Sequence, residues 1–280
     1  HGVGIGALFA AYFTYAADIT PVGRRTEGLA IFGVSGILPS AIAPLLGEEL
    51  VARFGFQALF AAATVFTAVS LALSWNLPDP EADEDETSES ASFWRLAADR
   101  RLTAVWATTL VFSISASAYF AFLAPYAREV GLARVGMFFT CYSLAAVSVR
   151  LAGGHLPDRF GARRMLVPPL ASLGIGLAVL VALDSPTKLA LAGTLCGIGH
   201  GYLFPILSGL ALEAVDSRGR GRGAAMSLFT ALFDSGQMAG PIVLGGIAEL
   251  AGYPGMFLAA TLLVAVSLPR WIVELAKGRA

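Results

Sequence analysis

Long apolar segments alternate with short polar breaks along the whole chain. Each of nine segments is about long enough for an α-helix to cross a hydrocarbon core roughly 30 Å thick. The segments are residues 1–17, 27–46, 56–77, 102–126, 135–153, 165–183, 188–212, 223–250 and 253–275. Backbone groups in lipid must pair within their own segment, and the period-two alternation of a membrane β-barrel is absent. The pattern therefore predicts an all-α protein with nine membrane-spanning helices.

The basic residues lie on alternate sides of these predicted helices. If the break around Arg24 and Arg25 faces the cytoplasm, fifteen of the nineteen Lys and Arg residues face it too. The four that remain outside are Arg53, Arg128, Arg134 and Lys188. Because cytoplasmic loops of membrane proteins carry an excess of Lys and Arg, the sequence predicts that residue 1 is external and the C-terminus internal.

The composition excludes several classes of protein. Hydrophobic residues make up 56% of the chain and charged residues 14%, and the mean hydropathy is +0.70. A soluble domain is about one quarter charged, so a soluble enzyme is excluded. A net charge of −1 gives no basic surface for a nucleic acid. Cys141 and Cys196 both lie in apolar segments, and the nucleotide-binding G-x-x-x-x-G-K-[ST] motif is absent. We therefore expect no cofactor and no metal.

One polar break is much longer than the others and divides the chain. Residues 78–101 contain seven acidic side chains between Asp79 and Glu89, followed by a run rich in serine. This composition predicts a disordered cytoplasmic linker. Its far end, residues 93–96, has the aromatic and basic character of a segment that lies flat at the membrane interface.

The two sides of the linker are related in sequence. A shift of 197 residues aligns Arg25 with Arg222, Pro44 with Pro241, Gly55 with Gly252 and Phe60 with Phe257, among other pairs. Duplication within a multispan membrane protein is typical of transporters built from repeats. Residues 1–77 match only the last three helices of the six-helix segment 102–280. The sequence thus predicts a twelve-span protein whose first three helices precede residue 1.

The break between the fifth and sixth predicted helices, residues 154–164, has the strongest motif. Two glycines permit a tight reversal, a carboxylate can accept hydrogen bonds from free N–H groups of a helix N-terminus, and basic residues face the anionic leaflet. In order, these residues are Gly154, Asp158, Arg159, Gly161, Arg163 and Arg164. The string G-x-L-x-D-R-x-G-x-R-R resembles the signature loop of the major facilitator superfamily, in the position that follows the eighth span.

Three other stretches resemble the same family. Residues 18–28 resemble the loop after its fourth span, and residues 1–4 resemble the end of its fourth-span motif. Residues 43–47 are similar to the Gly-Pro motif of proton-driven exporters, although Ala43 and Glu48 stand where that motif has glycine. The resemblance implies two six-helix halves, alternating access and a gating role for the signature loop.

Few polar side chains are predicted near the middle of the bilayer. Asp234 lies twelve residues beyond Arg222, and His200 lies twelve residues beyond Lys188 from the opposite side. Gln237 follows Asp234 by about one turn. A charge at that depth costs about 2.5–3.5 kcal/mol on insertion scales, so it is expected to face a wet cavity. We interpret Asp234 as the proton-coupling residue, with structural hydrogen bonding as the alternative. For His200, helix packing competes with a role in the site.

Two further sets of polar residues keep both a functional and a structural interpretation. Hydroxyl groups on the cavity-lining spans implied by the family fit substrate contact as well as packing, and they include those of Tyr12 and Tyr119. Charged residues at cytoplasmic helix ends fit a network that closes the inner mouth, or plain snorkelling to the interface. The network comprises Asp18, Arg24, Arg25, Arg150, Glu213, Asp216 and Arg222.

Together these features predict a monomeric secondary transporter of the bacterial inner membrane that exchanges protons for a small organic molecule in efflux. Proton-coupled uptake of a sugar or organic acid, and a membrane sensor without transport, are the alternatives.

Overall fold

The structure, a computed structural model, describes residues 12, 15, 19, 25–77, 89–132, 134–154, 156–213 and 222–277. Within these residues the chain is α-helical and has no β-strand, which confirms the all-α prediction. The helices are α1 (Arg25–Ser74), α2 (Glu89–Ala97), α3 (Thr103–Glu129), α4 (Gly136–Gly153), α5 (Leu156–Phe160), α6 (Val167–Val181), α7 (Pro186–Glu213) and α8 (Arg222–Lys277), with a 3₁₀ turn at Arg164–Leu166. The chain forms two compact units, His1–Glu84 and Asp85–Ala280.

Six helical stretches in the described residues are long and apolar enough to cross a membrane. They are Ala41–Ser74, Thr103–Glu129, Gly136–Gly153, Arg164–Val181, Pro186–Leu212 and Ala224–Val273. The predicted helix 1–17 lies outside the described residues, apart from Tyr12 and Tyr15. Two pairs of predicted helices appear as single long stretches, because helix continues up to a glycine in α1 and in α8. The count of nine stays a prediction.

Each of these two long helices is interrupted at one residue. Gly55 in α1 has φ 77° and ψ 177°, and Gly252 in α8 has φ 70° and ψ 174°. Only glycine adopts this region without a large cost. The two glycines are partners in the 197-residue repeat. The polar break that the sequence predicts before Gly55 is helical, since Glu49 and Arg53 pair one turn apart on the helix surface.

The first segment of α8 packs closely along α3. A Cβ atom added to Gly236 would lie 2.9 Å from Ser113 Cβ, and one added to Gly240 would lie 3.0 Å from Ser117 Cβ. Small residues four apart on one helix thus face small residues four apart on the other, which is how membrane helices approach closely. Residue numbers rise together along the contact, so the two segments are parallel.

The second segment of α8 packs along α3 in the opposite direction. The rings of Tyr253 and Tyr126 have centroids 5.4 Å apart. At the other end of the contact, Trp271 Nε1 donates a buried hydrogen bond of 3.0 Å to Thr108 Oγ1. Because residue numbers rise in α8 while they fall in α3, the chain reverses direction at Gly252. The long helix α8 therefore contains two antiparallel spans.

Glycines on one face of α7 bring its backbone against that of α4. A side chain at any of three positions, four residues apart, would collide with a backbone carbonyl group of α4. The matched pairs are Gly193 with Phe138, Gly197 with Tyr142, and Gly201 with Ala146. The two helices are parallel. The relative helix directions within this unit are those that the predicted alternation of spans requires.

Residues 89–97 correct the expectation of a linker that is disordered throughout, because they form helix α2. Leu96 and Leu102 are buried, and Trp106 Nε1 donates a hydrogen bond of 3.2 Å to the Leu96 carbonyl oxygen. Phe93 also packs against the core, whereas Trp94 is 72% exposed. Apolar residues three apart give this short segment one face that it buries against the unit.

Candidate functional site

Four helices of the second unit meet at a group of aromatic rings around His200. We name this group the His200 cluster. Its members are Phe112 of α3, Tyr142 of α4, His200 and Phe204 of α7, and Phe229 and Phe233 of α8. Spacings of four residues in α7 and in α8 stack these rings on one face of each helix. The helices therefore direct one polar imidazole into an otherwise apolar aromatic environment.

Three of the aromatic rings around His200 are nearly perpendicular to the plane of its imidazole. The centroid of the imidazole lies 4.9 Å from that of Phe112, 5.6 Å from that of Tyr142 and 6.1 Å from that of Phe233. The corresponding interplanar angles are 75°, 80° and 82°. Edge-to-face packing of this kind is favourable beyond the area that it buries. The cluster thus holds the imidazole in a defined orientation.

Tyr119 extends the His200 cluster on the side of α3 and α4. Its side chain is fully buried, and its ring centroid lies 5.7 Å from that of Tyr142 and 5.4 Å from that of Phe138. The sequence places Tyr119 among candidate cavity residues, and the structure connects it to His200 through Tyr142. Its role in a cavity stays a prediction.

Besides the hydroxyl oxygens of Ser115, Tyr119 and Ser143, two polar atoms near the cluster lack a hydrogen-bonding partner in the described part of the chain. They are Nδ1 of His200 and Oε1 of Gln237, and both atoms are buried. A buried polar group without a partner is uncommon and costs free energy. In a region lined by aromatic rings, such atoms are available to a polar group of a bound molecule.

Asp234 lies at the level of the His200 cluster but does not enter it. The ring of its neighbour Phe233 packs against His200, whereas the Asp234 side chain is exposed on the surface of the unit. Gln237, one turn further along α8, is half-buried. The structure thus brings His200 and Asp234 to the same depth on neighbouring helices and directs them to different surroundings.

The signature loop contains the short helix α5 between two turns. Gly154 has helical angles, and a Cβ atom there would lie 2.5 Å from the Arg150 carbonyl oxygen. Gly161 has φ 91° and its carbonyl oxygen accepts hydrogen bonds from the amides of Arg164 and Met165, each 3.1 Å. The backbone of Asp158 lies in α5, and its side chain lies outside the described residues.

The three arginines of the signature loop are all exposed. The Arg159 guanidinium lies 5.4 Å from the ring centroid of Phe160, and Arg163 and Arg164 flank the start of the 3₁₀ turn. Exposed guanidinium groups suit phosphate groups or carboxylates as partners.

Most of the predicted cytoplasmic charge network lies outside the described side chains. Asp18, Arg24 and Asp216 fall outside the described residues. The structure describes the backbone but not the side chains of Arg25, Glu213 and Arg222. The network therefore stays a prediction. Arg150 donates a hydrogen bond of 3.1 Å from Nε to the carbonyl oxygen of Gly201.

Tyr12 belongs to the first unit and makes hydrogen bonds there. Its hydroxyl group lies 2.8 Å from Ser74 Oγ and 3.2 Å from Ser70 Oγ. Since Ser74 is the last residue of α1, this hydroxyl lies near a helix end. Its predicted role in the cavity is untested.

Sequence reasoning missed most of the aromatic residues of the His200 cluster. Phe112, Tyr142, Phe204, Phe229 and Phe233 are individually typical of apolar helices. The available signal was their spacing, since His200 and Phe204, and likewise Phe229 and Phe233, are four residues apart. In the part of the chain that the structure describes, no group of three His, Cys, Asp or Glu residues could hold a metal ion.

Known proteins resemble this chain over nearly its whole length. The family model of the Major Facilitator Superfamily matches residues 1–136 and residues 105–279. Multidrug resistance protein MdtG of Yersinia enterocolitica is 23% identical over 257 residues, which cover 88% of this chain and 62% of that protein. Multi-drug resistance efflux pump PmrA of Streptococcus pneumoniae is 26% identical over 276 residues, which cover 94% and 69%.

A third relative is named for a single exported compound. The staphylopine export protein of Staphylococcus aureus is 24% identical over 261 residues, which cover 89% of this chain and 65% of that protein. The chain spans about six tenths of the length of the MdtG proteins that it matches.

Proposed function

Because the chain belongs to the major facilitator superfamily, we propose that it is part of a secondary transporter that exports a small organic molecule in exchange for protons. It is a multi-pass protein of the bacterial inner membrane. Export is supported by the names of its relatives, which are called multidrug resistance, efflux and export proteins. Transport by alternating access would take place between two six-helix halves around a site near the midplane.

The observation that carries this proposal is the His200 cluster. Four helices supply its rings, and His200 Nδ1 and Gln237 Oε1 are buried without a partner in the described residues. An apolar or aromatic molecule with one or two polar groups would pack against the rings and satisfy these atoms. Removing polar groups from water without pairing them is costly, so this arrangement favours a ligand over a purely structural core.

Proton coupling is assigned to Asp234 on grounds of position. This carboxylate lies in α8 beside Phe233, at the depth of His200, and it is exposed on the unit rather than paired in the core. A carboxylate near the bilayer centre can gain or lose a proton as its hydration changes between the two open states. One proton that crosses about 100 mV supplies about 2.3 kcal/mol, which supports a substrate gradient of roughly fiftyfold.

The experiment measures transport in vesicles that contain the reconstituted full-length protein. Counterflow against a library of small organic molecules identifies a substrate without requiring a proton gradient. We then expect Asp234→Asn to abolish accumulation driven by a pH gradient and to leave counterflow measurable, because only the proton step needs the carboxylate.

A matched control is available on the same helix. Glu249 is an exposed carboxylate near the end of the first segment of α8, and Glu249→Gln should leave both activities within about twofold, as expected for a surface substitution. If Asp234→Asn still concentrates the substrate against a gradient, Asp234 is not the coupling residue. If no library compound shows counterflow in the wild-type protein, the transport proposal itself fails.

A further inference from the structure

Helix α7 contains a proline where its backbone hydrogen bonding must be interrupted. Pro205 lies inside the helix Pro186–Glu213 and has no backbone N–H group. In an α-helix, the carbonyl oxygen of Gly201 accepts its hydrogen bond from the residue four positions later, which is Pro205. The Gly201 carbonyl oxygen therefore has no partner of its own helix. In a membrane interior such a carbonyl group must be satisfied by a neighbour.

Arg150 of α4 supplies the missing hydrogen bond. Its Nε atom donates to the Gly201 carbonyl oxygen at 3.1 Å. The donor can reach the backbone because Gly201 has no side chain, and a Cβ atom there would lie 2.9 Å from the Ala146 carbonyl oxygen. An arginine, a glycine and a proline on two helices thus form one interaction, which we name the Arg150 clamp.

The Arg150 clamp lies between the two features that the proposed function uses. Gly201 directly follows His200, so the clamped carbonyl group belongs to the turn that carries the imidazole. Arg150 lies in the last turn of α4, four residues before Gly154, where the signature loop begins. Its hydrogen bond therefore connects the helix end that leads into the loop with the turn of α7 that contributes to the His200 cluster.

We propose that Arg150 is a positioning residue, which fixes the proline-interrupted turn of α7 through the Gly201 carbonyl group and thereby holds His200 in the aromatic cluster. This role differs from membership of a cytoplasmic charge network, because its partner is a backbone oxygen. The effect on transport rests on the proposed function, whereas the clamp itself does not.

A double-mutant cycle tests the clamp without any transport measurement. In Pro205→Ala the restored amide of residue 205 can bond to the Gly201 carbonyl oxygen, so the arginine is no longer needed. We expect Arg150→Met, which removes the donor and keeps an unbranched side chain, to lower the melting temperature of the purified protein by about 2–4 °C when Pro205 is present. In the Pro205→Ala background the same change should lower it by less than half as much.

A second proline provides the matched control. Pro241 of α8 likewise leaves the carbonyl group of Gln237 without its helical partner, and it lies on a different helix from the clamp. Arg150→Met and Pro241→Ala should therefore have additive effects on the melting temperature. Equal losses of melting temperature from Arg150→Met in the wild-type and Pro205→Ala backgrounds would overturn the proposal.

If Pro205→Ala does not fold, amide hydrogen exchange in the single Arg150 variant tests the Arg150 clamp instead. Loss of the clamp should raise the exchange rates of the amides of residues 202–204 and 206–209 about tenfold in Arg150→Met, with little change in α6, because the opening is local. Unchanged exchange in that turn would contradict the clamp.

Transport then tests the consequence for the site. Arg150→Met should raise the half-saturation concentration of the substrate about tenfold, and adding Pro205→Ala to the same chain should restore most of the wild-type value. Thermodynamic coupling without this rescue would keep the clamp but overturn its positioning role. Absence of transport in the wild type would instead contradict the proposed function.

Discussion

Helices α1 and α8 are partners in the 197-residue repeat, and they share a backbone feature but not an environment. Both are interrupted at one glycine, and the angles of Gly55 and Gly252 agree within 7° in φ and 3° in ψ. Phe60 of α1 and Phe257 of α8 occupy equivalent positions in the repeat but differ in burial. Phe60 is 69% exposed, and Phe257 is fully buried. The repeat therefore preserves the position of the chain reversal, whereas burial depends on the helices that pack against each copy.

The chemistry of the two copies differs as well. Asp234 and Gln237 in α8 correspond to Ile37 and Ser40 in α1, and the glycine Gly236 corresponds to Pro39. The carboxylate of Asp234 and the amide of Gln237 are therefore not repeated at the equivalent positions of α1.

The largest expected effect concerns the buried phenylalanine. Phe257→Ala should destabilise the purified protein by about 3–5 kcal/mol, because it leaves a cavity among side chains that pack tightly. Phe60→Ala should cost less than about 1 kcal/mol, because few contacts are lost. Thermal unfolding of both variants measures the difference. Equal losses would mean that Phe60 is also packed, and the comparison would break.

A smaller effect is expected at the two interrupting glycines. Gly55→Ala and Gly252→Ala should each cost about 1–3 kcal/mol, because both force an L-residue into a region that only glycine populates readily. Gly246→Ala is the control, since a Cβ atom there meets nothing within 4 Å among the described residues and its φ is not positive. If one glycine variant were as stable as the control, the two reversals would not be equivalent.

The smallest expected effect is the difference in stability between removing one hydrogen bond in α8 and removing its counterpart at the equivalent position of α1. Trp271 and Ser74 are partners in the repeat, and each bonds to another helical residue, Thr108 or Tyr12. Trp271→Phe should cost about 1 kcal/mol, because its bond is buried. Ser74→Ala should cost about 0.5 kcal/mol or less, since Tyr12 keeps Ser70 as a second partner at 3.2 Å. Reversed magnitudes in thermal unfolding would contradict this order.

Much of the fold follows from hydropathy, because an apolar segment in lipid has few alternatives to a helix. The predicted helices 102–126, 135–153, 165–183 and 188–212 correspond to α3, α4, α6 with the turn before it, and α7. The errors arise where polarity and helix formation are independent. Residues 47–54 contain three charged side chains and are nevertheless helical. Residues 89–97 form a helix because Phe93 and Leu96 pack against the second unit.

The candidate site was less predictable than the fold. His200 and Asp234 are identifiable from sequence because ionisable residues are rare at that depth. The rings around His200 were not, since phenylalanine in an apolar helix gives no signal until four helices meet. The partner of Arg150 is a backbone atom, and no side-chain pattern marks it. Only the proline four residues after Gly201 indicates that the carbonyl group of Gly201 lacks its usual partner within the helix.

The single-residue reversal at Gly252 also has a consequence for biosynthesis. Residues 250–254 read Leu-Ala-Gly-Tyr-Pro and carry no charge, and Glu249 is the one charged residue next to them, so only a short segment with a single charge has to be moved across the bilayer between the two segments of α8. All but one of the residues at the reversal keep helical angles, which limits the number of backbone groups exposed to lipid during passage. We expect the translocon to release residues 222–277 into the membrane as one paired insertion unit rather than as two successive stop and start signals.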